Sequence, residues 1–519
     1  MILALVASIF FSLGVGILAA RNKRAESVLI PMLDVFQSIP ILGFFPFVLL
    51  GIIAVIPGQV GITLAVVVLI FTSMSWNITF GVYEAVKSIP QEYLELSEMS
   101  GSSTLHKVTT LYIPASLSRV AYNTQISWAV GLFYLSASEI LSLGNKSAQV
   151  AHGIAVDMFM FASQGDYVAY TYSFVLLIIA IIIWQFVFLR EFAVWADRYK
   201  FLAEPHQSKR DPLMKFYAWV DDRSISKLFL LTHGRGVTSF TSSIARFRRG
   251  LKYALLALIV IFAALALPAI GKTAAQDFHS IPPFSRLSSD EAYVALSLLV
   301  SFARIWYLYF VCVVVAVPIA ILVALNDKAY NFLSPVIFLI ASVPAPLLLP
   351  VIYVLVAGQG EALAAVIIFL GMIWYILFNV VAGVRSIPSE VMELRRLFHL
   401  STWQAWRSIY LPASATAFVT GSITAIGAAW NTLIVAEIFQ SGTQFSEVGL
   451  GIGKVIVLAE AQRCPDVFNQ ASSACVANTT DWGLLILAIL SMTALVIAFN
   501  LVVWRRAYHY VTKRYAYNA

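Results

Sequence analysis

A chain of 519 residues that is 60% hydrophobic, only 12% charged and has a mean hydropathy of +0.84 is excluded from the soluble globular class and reads as a polytopic membrane protein. Its net charge of +7 does not point to nucleic acid, because basic residues of a membrane chain collect in cytoplasmic loops.

Crossing the hydrocarbon takes about 20 apolar residues, and eleven stretches qualify: 1–20, 28–52, 60–83, 118–142, 170–195, 251–271, 294–324, 331–356, 361–384, 416–439 and 483–504. They are continuous apolar runs, which excludes a β-barrel and predicts an all-α fold. In the first run the apolar residues precede the basic cluster Arg21, Lys23 and Arg24, the reverse of a signal peptide. A permanent span with its N-terminus outside is expected. Further clusters follow the fifth span (Arg190, Arg198, Lys200) and the last (Arg505, Arg506, Lys513, Arg514). All three fall on one side, the cytoplasmic one, if every span crosses once.

The second span carries SIPILGFFP and the eighth SVPAPLLLP, in the segments Gln37–Gly51 and Ser342–Val356. Prolines there interrupt the helical ladder, which is tolerated where neighbours or a cavity satisfy the freed groups; a simple kink and a pathway wall are both open. At a shift of 304, Asn22 meets Asn326 and Pro31 meets Pro335. The third spans carry Trp76 and Trp374 at a shift of 298, with Asn77 beside one and Asn379 near the other. These four are candidates for lining a pathway, against the alternative that they hold helices together.

Between the third and fourth spans lies SIPQEYLELSEMSGSSTLHKVTTLYIPAS, Ser88–Ser116, and 298 residues later SIPSEVMELRRLFHLSTWQAWRSIYLPAS, Ser386–Ser414, with 12 of 29 positions identical and no gap. Each copy opens on Ile-Pro, where the ring ends one helix and suits the first turn of the next. Glu92 and Glu95, like Glu390 and Glu393, then fall in the first turns of that helix, where carboxylates complement its dipole. The copies close on Pro114 and Pro412. Two such polar loops at one spacing imply a shared docking surface rather than two solvated connectors.

Glu139 and Glu437 also match at 298, near the outer ends of their spans, as do Gly153 and Gly451. A carboxylate at membrane depth is a functional candidate, here for lining the pathway, and a structural hydrogen-bonding role is the alternative. Asp197–Lys252 is a cytoplasmic linker with twelve Lys/Arg against five Asp/Glu, suited to the anionic leaflet or to a tether. The second half adds the span 251–271 and the polar segment Lys272–Glu291, so either the first half lacks that helix or the reading frame begins upstream of Met1. Domains are therefore expected at 1–196 (about five spans, polar loop 84–117), 197–250 (linker) and 251–519 (about six spans, polar loop 385–415). Arg304 and Lys454 lie towards the outer face, snorkelling or attracting an anion. Cys464 and Cys475 share the longest outer loop, where a disulfide and two free thiols are both open, while Cys312 reads as core.

No Walker A pattern is present: Gly453-Lys454 has Val448 and Val455 where a glycine and a hydroxyl residue belong. No cysteine–histidine metal spacing and no catalytic signature stand out, so neither a metal nor catalysis is expected.

Glu95, Gly101 six residues on and Pro114 beyond resemble the EAA loop of the membrane subunits of ATP-binding cassette importers. The second copy keeps Glu393 and Pro412 but has His399 at the glycine position. Positive φ costs histidine more than glycine, so the second loop is expected to bend differently and to dock asymmetrically. Over roughly 20–195 and 292–507 the chain is similar to duplicated type I permeases of the anion importers, akin to the nitrate, sulfonate and taurine permeases. The resemblance implies about eleven transmembrane helices in two tandem parallel repeats, forming a pathway for a small inorganic or organic anion. It also implies two copies of an ATPase subunit docked on the coupling loops and carrying the ATP and Mg, with no cofactor in this chain. An extracytoplasmic substrate-binding protein and surrounding membrane lipids complete the partners, with no second permease chain and no nucleic acid, in the plasma or inner membrane with the loops cytoplasmic. The rival classes are an ion-coupled secondary transporter, which also uses parallel repeats but calls for more mid-span charge than is present, and a membrane enzyme.

Overall fold

The computed structural model describes residues 1–38, 40–142, 153–196, 199, 287–387, 389–441, 444–461 and 482–515. Cys464, Cys475, Pro388, the span 251–271 and the linker 197–250 apart from Tyr199 lie outside the described residues.

The first half runs through α1 (Ile2–Arg21), α2 (Lys23–Ser38), α3 (Ile41–Val55), α4 (Gln59–Lys87), α5 (Gln91–Met99), α6 (Thr104–Lys107), α7 (Ile113–Ser142), α8 (Ile154–Ser163), α9 (Tyr167–Ile183) and α10 (Arg190–Ala196). The second runs through α11 (Leu287–Leu325), α12 (Asp327–Ala341), α13 (Leu349–Leu355), α14 (Gly360–Arg385), α15 (Ser389–Leu397), α16 (Thr402–Ala405), α17 (Leu411–Ala436), α18 (Ile452–Ala461), α19 (Trp482–Phe499) and α20 (Arg505–Tyr515). A shift of 298 carries α5 onto α15, α6 onto α16 and α8 onto α18 residue for residue, and the starts of α7 and α17 coincide. After α18 the register changes, because α18 and α19 are separated by residues 462–481 where α8 and α9 are separated by 164–166.

Seven helices are long and apolar enough to cross a membrane among the described residues, or eight if one bent pair is a single span. Three of the eleven expected spans make the difference. Stretch 251–271 is not described, 118–142 falls in the 30-residue α7, whose Arg119, Asn123, Gln125 and Glu139 dilute its hydropathy, and 28–52 is divided into α2 and α3. The bent pair is the stretch 331–356, which turns by 76° between α12 and Ala345–Leu355. Prolines explain both breaks: Pro40 and Pro344 have extended backbones at the N-caps of the helical segments that follow, and neither can donate to the preceding helix. Among the described residues the all-α expectation meets one exception, a short antiparallel hairpin of β1 (Ile438–Ser441) and β2 (Gln444–Glu447). It ends the tenth span at Ala436.

Hydrogen bonds between small polar side chains and backbone hold the helices face to face, as expected where lipid gives no hydrophobic preference for association. Ser8 and Ser12 of α1 donate to the carbonyls of Phe71 and Ser75 on α4 at 3.2 and 3.1 Å, and Thr79 donates to the Ser12 hydroxyl at 2.9 Å. Asn22 and Asn326 do the same local work in the two repeats: each side-chain oxygen accepts from backbone N–H groups two and three residues on, capping α2 and α12. Lys87 and Arg385, equivalent by 298, close the ends of α4 and α14 onto acids of α2 and α12, Glu26 at 2.8 Å and Asp327 at 3.1 Å. Hydrogen bonds from Lys87 and Tyr83 hold the Glu26 carboxyl below its ordinary range.

One packing contact has exchanged its members between the repeats. Gly81 on α4 faces Asn123 on α7, whereas the equivalent pair is Asn379 on α14 facing Gly421 on α17. A Cβ on Gly421 would lie 2.8 Å from that of Asn379. In both pairs the amide donates to the carbonyl four residues earlier, Arg119 at 2.9 Å and Tyr375 at 2.8 Å.

Candidate functional site

A cavity of about 210 Å³ lies between the repeats. Its walls obey the internal symmetry. Eight lining positions of the first half, from Ser73 to Tyr134, have their 298-shifted partners, from Gly371 to Thr432, in the lining as well. Trp76 and Trp374 are one such pair and alone among the eight have the same residue in both halves; Asn77 pairs with Tyr375, Phe133 with Asn431 and Tyr134 with Thr432. Of the sequence candidates, Trp76, Asn77, Trp374 and Asn379 all line the cavity. Among the described residues, no Asp, Glu, Lys, Arg or His is in the lining.

The broken helices supply part of the wall, through Ile41 in one half and Val343, Pro344 and Ala345 in the other. Bonds across the repeats fix these segments. The Asn431 side chain accepts from the N–H of Leu42 at 3.1 Å, satisfying a donor in the first turn of α3, and Tyr170 on α9 donates to Leu347 O at 2.7 Å. Phe133 occupies the position equivalent to Asn431, so the Asn431–Leu42 bond lacks a first-half copy at that position.

Glu139 and Glu437 are not in this lining. The structure places both at helix N-termini, in the structural role that the sequence left as an alternative to pathway lining. Glu139 accepts from Ala155 N at 2.8 Å at the start of α8, and Glu437 from Gly453 N at 2.7 Å and Lys454 N at 3.2 Å at the start of α18. The carboxylates thereby meet the orphan donors and the positive end of each helix. Gly153 and Gly451 make the approach feasible: a Cβ at either would overlap the carboxylate.

Around Glu437 the second half adds an ionic network. Ser301 donates to the carboxylate at 2.6 Å, and Arg304 pairs with it as well as with Glu361 at 2.8 Å. Arg304 also donates to Leu450 O at 3.1 Å, and Lys454 pairs with Glu447 at 3.0 Å. Glu437 is fully buried. Arg304 and Lys454 are thus internal partners, neither snorkelling nor offered to a free anion. The signal for this cap was the equal spacing Glu139-to-Gly153 and Glu437-to-Gly451; Arg304, 133 residues from its partner, left none.

The repeated polar loops fold alike. α5 and α15 carry Glu92, Glu95, Glu390 and Glu393; of these, Glu92, Glu95 and Glu393 are exposed. Each helix is followed by a residue with positive φ, Gly101 at 63° and His399 at 48°. The expected difference in bend is therefore absent, and His399 is held in a conformation that favours glycine. Ser103 and Ser401 then cap α6 and α16, the latter in a capping box with Gln404. A π-helical turn leads from each into α7 or α17 at Val108–Tyr112 and Trp406–Tyr410, and Pro114 and Pro412 sit second in those long helices rather than ending them. Replacing His399 with glycine is expected to raise the thermal midpoint of the detergent-solubilised chain slightly, since relief of left-handed strain, about 1–2 kcal/mol, exceeds glycine's added entropy cost of about 0.5–1 kcal/mol. A lower midpoint would mean that the imidazole makes a compensating contact.

Exposed apolar side chains crown both loops: Leu96 and Met99 on the first, Leu397, Phe398 and Trp403 on the second. The loops are tied to the bundle differently. Arg21 at the end of α1 lies over the Tyr112 ring at 4.6 Å, while Arg395 within α15 donates to the equivalent Tyr410 hydroxyl at 2.8 Å.

The profile of the family described as binding-protein-dependent transport system inner membrane component matches residues 12–194 and again 316–514. The chain is 31% identical over 151 residues to the bicarbonate transport system permease protein CmpB of Synechococcus elongatus, covering 29% of this chain and 52% of that protein. It is 28% identical over 172 residues to the nitrate import permease protein NrtB of Leptolyngbya laminosa, covering 33% and 59%. Identity to the taurine transport system permease protein TauC of Escherichia coli is 26% over 163 residues, covering 31% and 59%. The chain thus spans about half the length of the curated relatives it matches.

Proposed function

The chain belongs to the family of binding-protein-dependent transport system inner membrane components, matched in both halves, and on that premise we propose that it is the complete transmembrane pathway of an ATP-binding cassette importer for a small anion. The observation that carries this reading is the cavity whose wall positions recur in pairs at one shift, for it makes one polypeptide the equivalent of two permease subunits. On this reading the repeats are 1–196 and 251–519, joined by the linker 197–250, and no second permease chain is needed. The chain sits in the plasma or inner membrane with both polar loops in the cytoplasm.

Two copies of a separate ATPase subunit, which bind ATP and Mg, dock on α5 and α15 through Glu92, Glu95, Glu390 and Glu393 and the exposed apolar residues beside them. An extracytoplasmic binding protein delivers solute to the other face. The bicarbonate, nitrate and taurine named for the relatives make an anion the leading cargo.

The geometry supports a lever. From Thr104 to Ser142, and from Thr402 to Ala436, the chain is helical without a break, changing only to a π turn near its start. The same helices that begin at the docking loops carry the cavity residues 126–134 and 424–432. At 1.5 Å per residue, Thr104 and Ile126 are about 33 Å apart along the helix. Closure of an ATPase dimer therefore has a stiff route from loop to cavity wall.

Proteoliposomes holding the chain, the ATPase and the binding protein are expected to accumulate labelled bicarbonate, nitrate or taurine only with internal ATP and external binding protein. Uptake by the chain alone, driven by an ion gradient, would instead make it a secondary transporter.

A further inference from the structure

The walls of the cavity are chemically specific beyond their symmetry. Among the described residues no Asp, Glu, Lys, Arg or His lines them. The charged groups buried in the second half, Arg304, Glu437 and Lys454, are committed to one another and to Glu361, Glu447 and the turn before α18, and none belongs to the lining. A compact inorganic oxyanion entering the cavity would surrender hydration without gaining a counter-charge, an expensive exchange.

What the walls offer is aromatic surface and neutral donors. Trp76 and Trp374, at equivalent positions of the two repeats, present indoles; Asn77, Tyr134 and Tyr375 present an amide and two hydroxyls. Size points the same way. At about 210 Å³ the cavity exceeds the roughly 150 Å³ that accommodates benzene in an apolar protein interior, and it is larger than a three- or four-oxygen anion fills.

Resting on the importer reading above and narrowing it, we propose that this cavity is a binding site for an organic anion with a planar or apolar body about the size of a small ring. The body lies against Trp76 and Trp374, and the anionic head is hydrogen-bonded by the neutral donors Asn77, Tyr134 and Tyr375. Small inorganic oxyanions are not retained there. Neutral donors hold a charge weakly, which suits a transit site that must release its cargo.

The test uses the full chain alone in nanodiscs, with benzenesulfonate and nitrate as probes and calorimetry or ligand-observed NMR as readout. Benzenesulfonate is expected to bind saturably and nitrate not at all. Trp76→Ala and Trp374→Ala should each weaken benzenesulfonate about tenfold, as loss of a stacking surface does, while Trp76→Phe retains most of the affinity. Tyr375→Phe, which keeps the ring and removes the hydroxyl, should weaken benzenesulfonate while leaving retention of benzyl alcohol unchanged. Nitrate binding as well as benzenesulfonate, or equal benzenesulfonate affinity of wild type and the correctly folded double tryptophan variant, would overturn the proposal. Because neither ATPase nor binding protein is present, failure here leaves the importer reading intact, and failure of ATP-driven uptake in the reconstituted system leaves this binding result standing.

Discussion

Glu95→Ala combined with Glu393→Ala is expected to abolish ATP-driven uptake and to strip the ATPase from the chain during purification, without loss of the folded protein. Both carboxylates are exposed at equivalent places on α5 and α15, so their removal should cost the isolated fold less than about 0.5 kcal/mol. A hydrogen bond to a charged group is worth about 1.5–3 kcal/mol, which is roughly a ten- to hundredfold loss of affinity for each loop. The two loops belong to one polypeptide, so their contributions reinforce one another, and either single substitution should leave a measurable remnant. Size-exclusion profiles of the membrane extract report whether folding is intact; co-purification and uptake report coupling. Unaltered association and transport in the double variant would remove the coupling role from these residues.

The second large effect is expected at the cap of α18. Glu437→Ala leaves Arg304 facing a vacated, fully buried position, and leaves the N–H groups of Gly453 and Lys454 without their acceptor. Removing one partner of a buried pair costs about 3–5 kcal/mol, enough to lower the thermal midpoint by many degrees or to prevent recovery of intact protein. Glu139→Ala removes the acceptor of the Ala155 N–H, for which an unsatisfied buried donor costs about 1–3 kcal/mol, and Val6 stands where the shift of 298 would place Arg304; the smaller loss is expected there. Arg304→Met together with Glu437→Met should recover part of the loss, because an apolar pair of similar volume removes both uncompensated charges. Thermal unfolding of the four proteins in one detergent checks the order. Equal destabilisation at Glu139 and Glu437 would show that Arg304 adds nothing to the cap.

Much of the architecture was legible because it was written twice. A gapless shift of 298 located the polar loops, paired Trp76 with Trp374 and matched Glu139 with Glu437. In the structure the same shift relates helix bounds to within a residue across the loops and organises the cavity wall. What was not legible depends on contacts far apart in the chain. The bond from Asn431 to Leu42 spans 389 residues, and no local pattern announces it. Hydropathy, moreover, is blind to direction: the run 331–356 has the composition of a straight span but turns through 76°, because Pro344 follows a helix end that its missing N–H cannot continue. The replacement of glycine by histidine suggested a different bend, yet φ at His399 stays positive; the surrounding helices and caps over-determine the turn, and the side chain bears the strain.

The exchanged contact at Gly81–Asn123 and Asn379–Gly421 means that the helices of the two halves cannot be transplanted singly. A chimera setting α4 against α17 would place glycine opposite glycine and open a hole, and one setting α14 against α7 would drive two asparagines into the same space. Only the pair is a transferable unit, so the two repeats have become a matched set, each complete within itself and incompatible piece by piece with its twin.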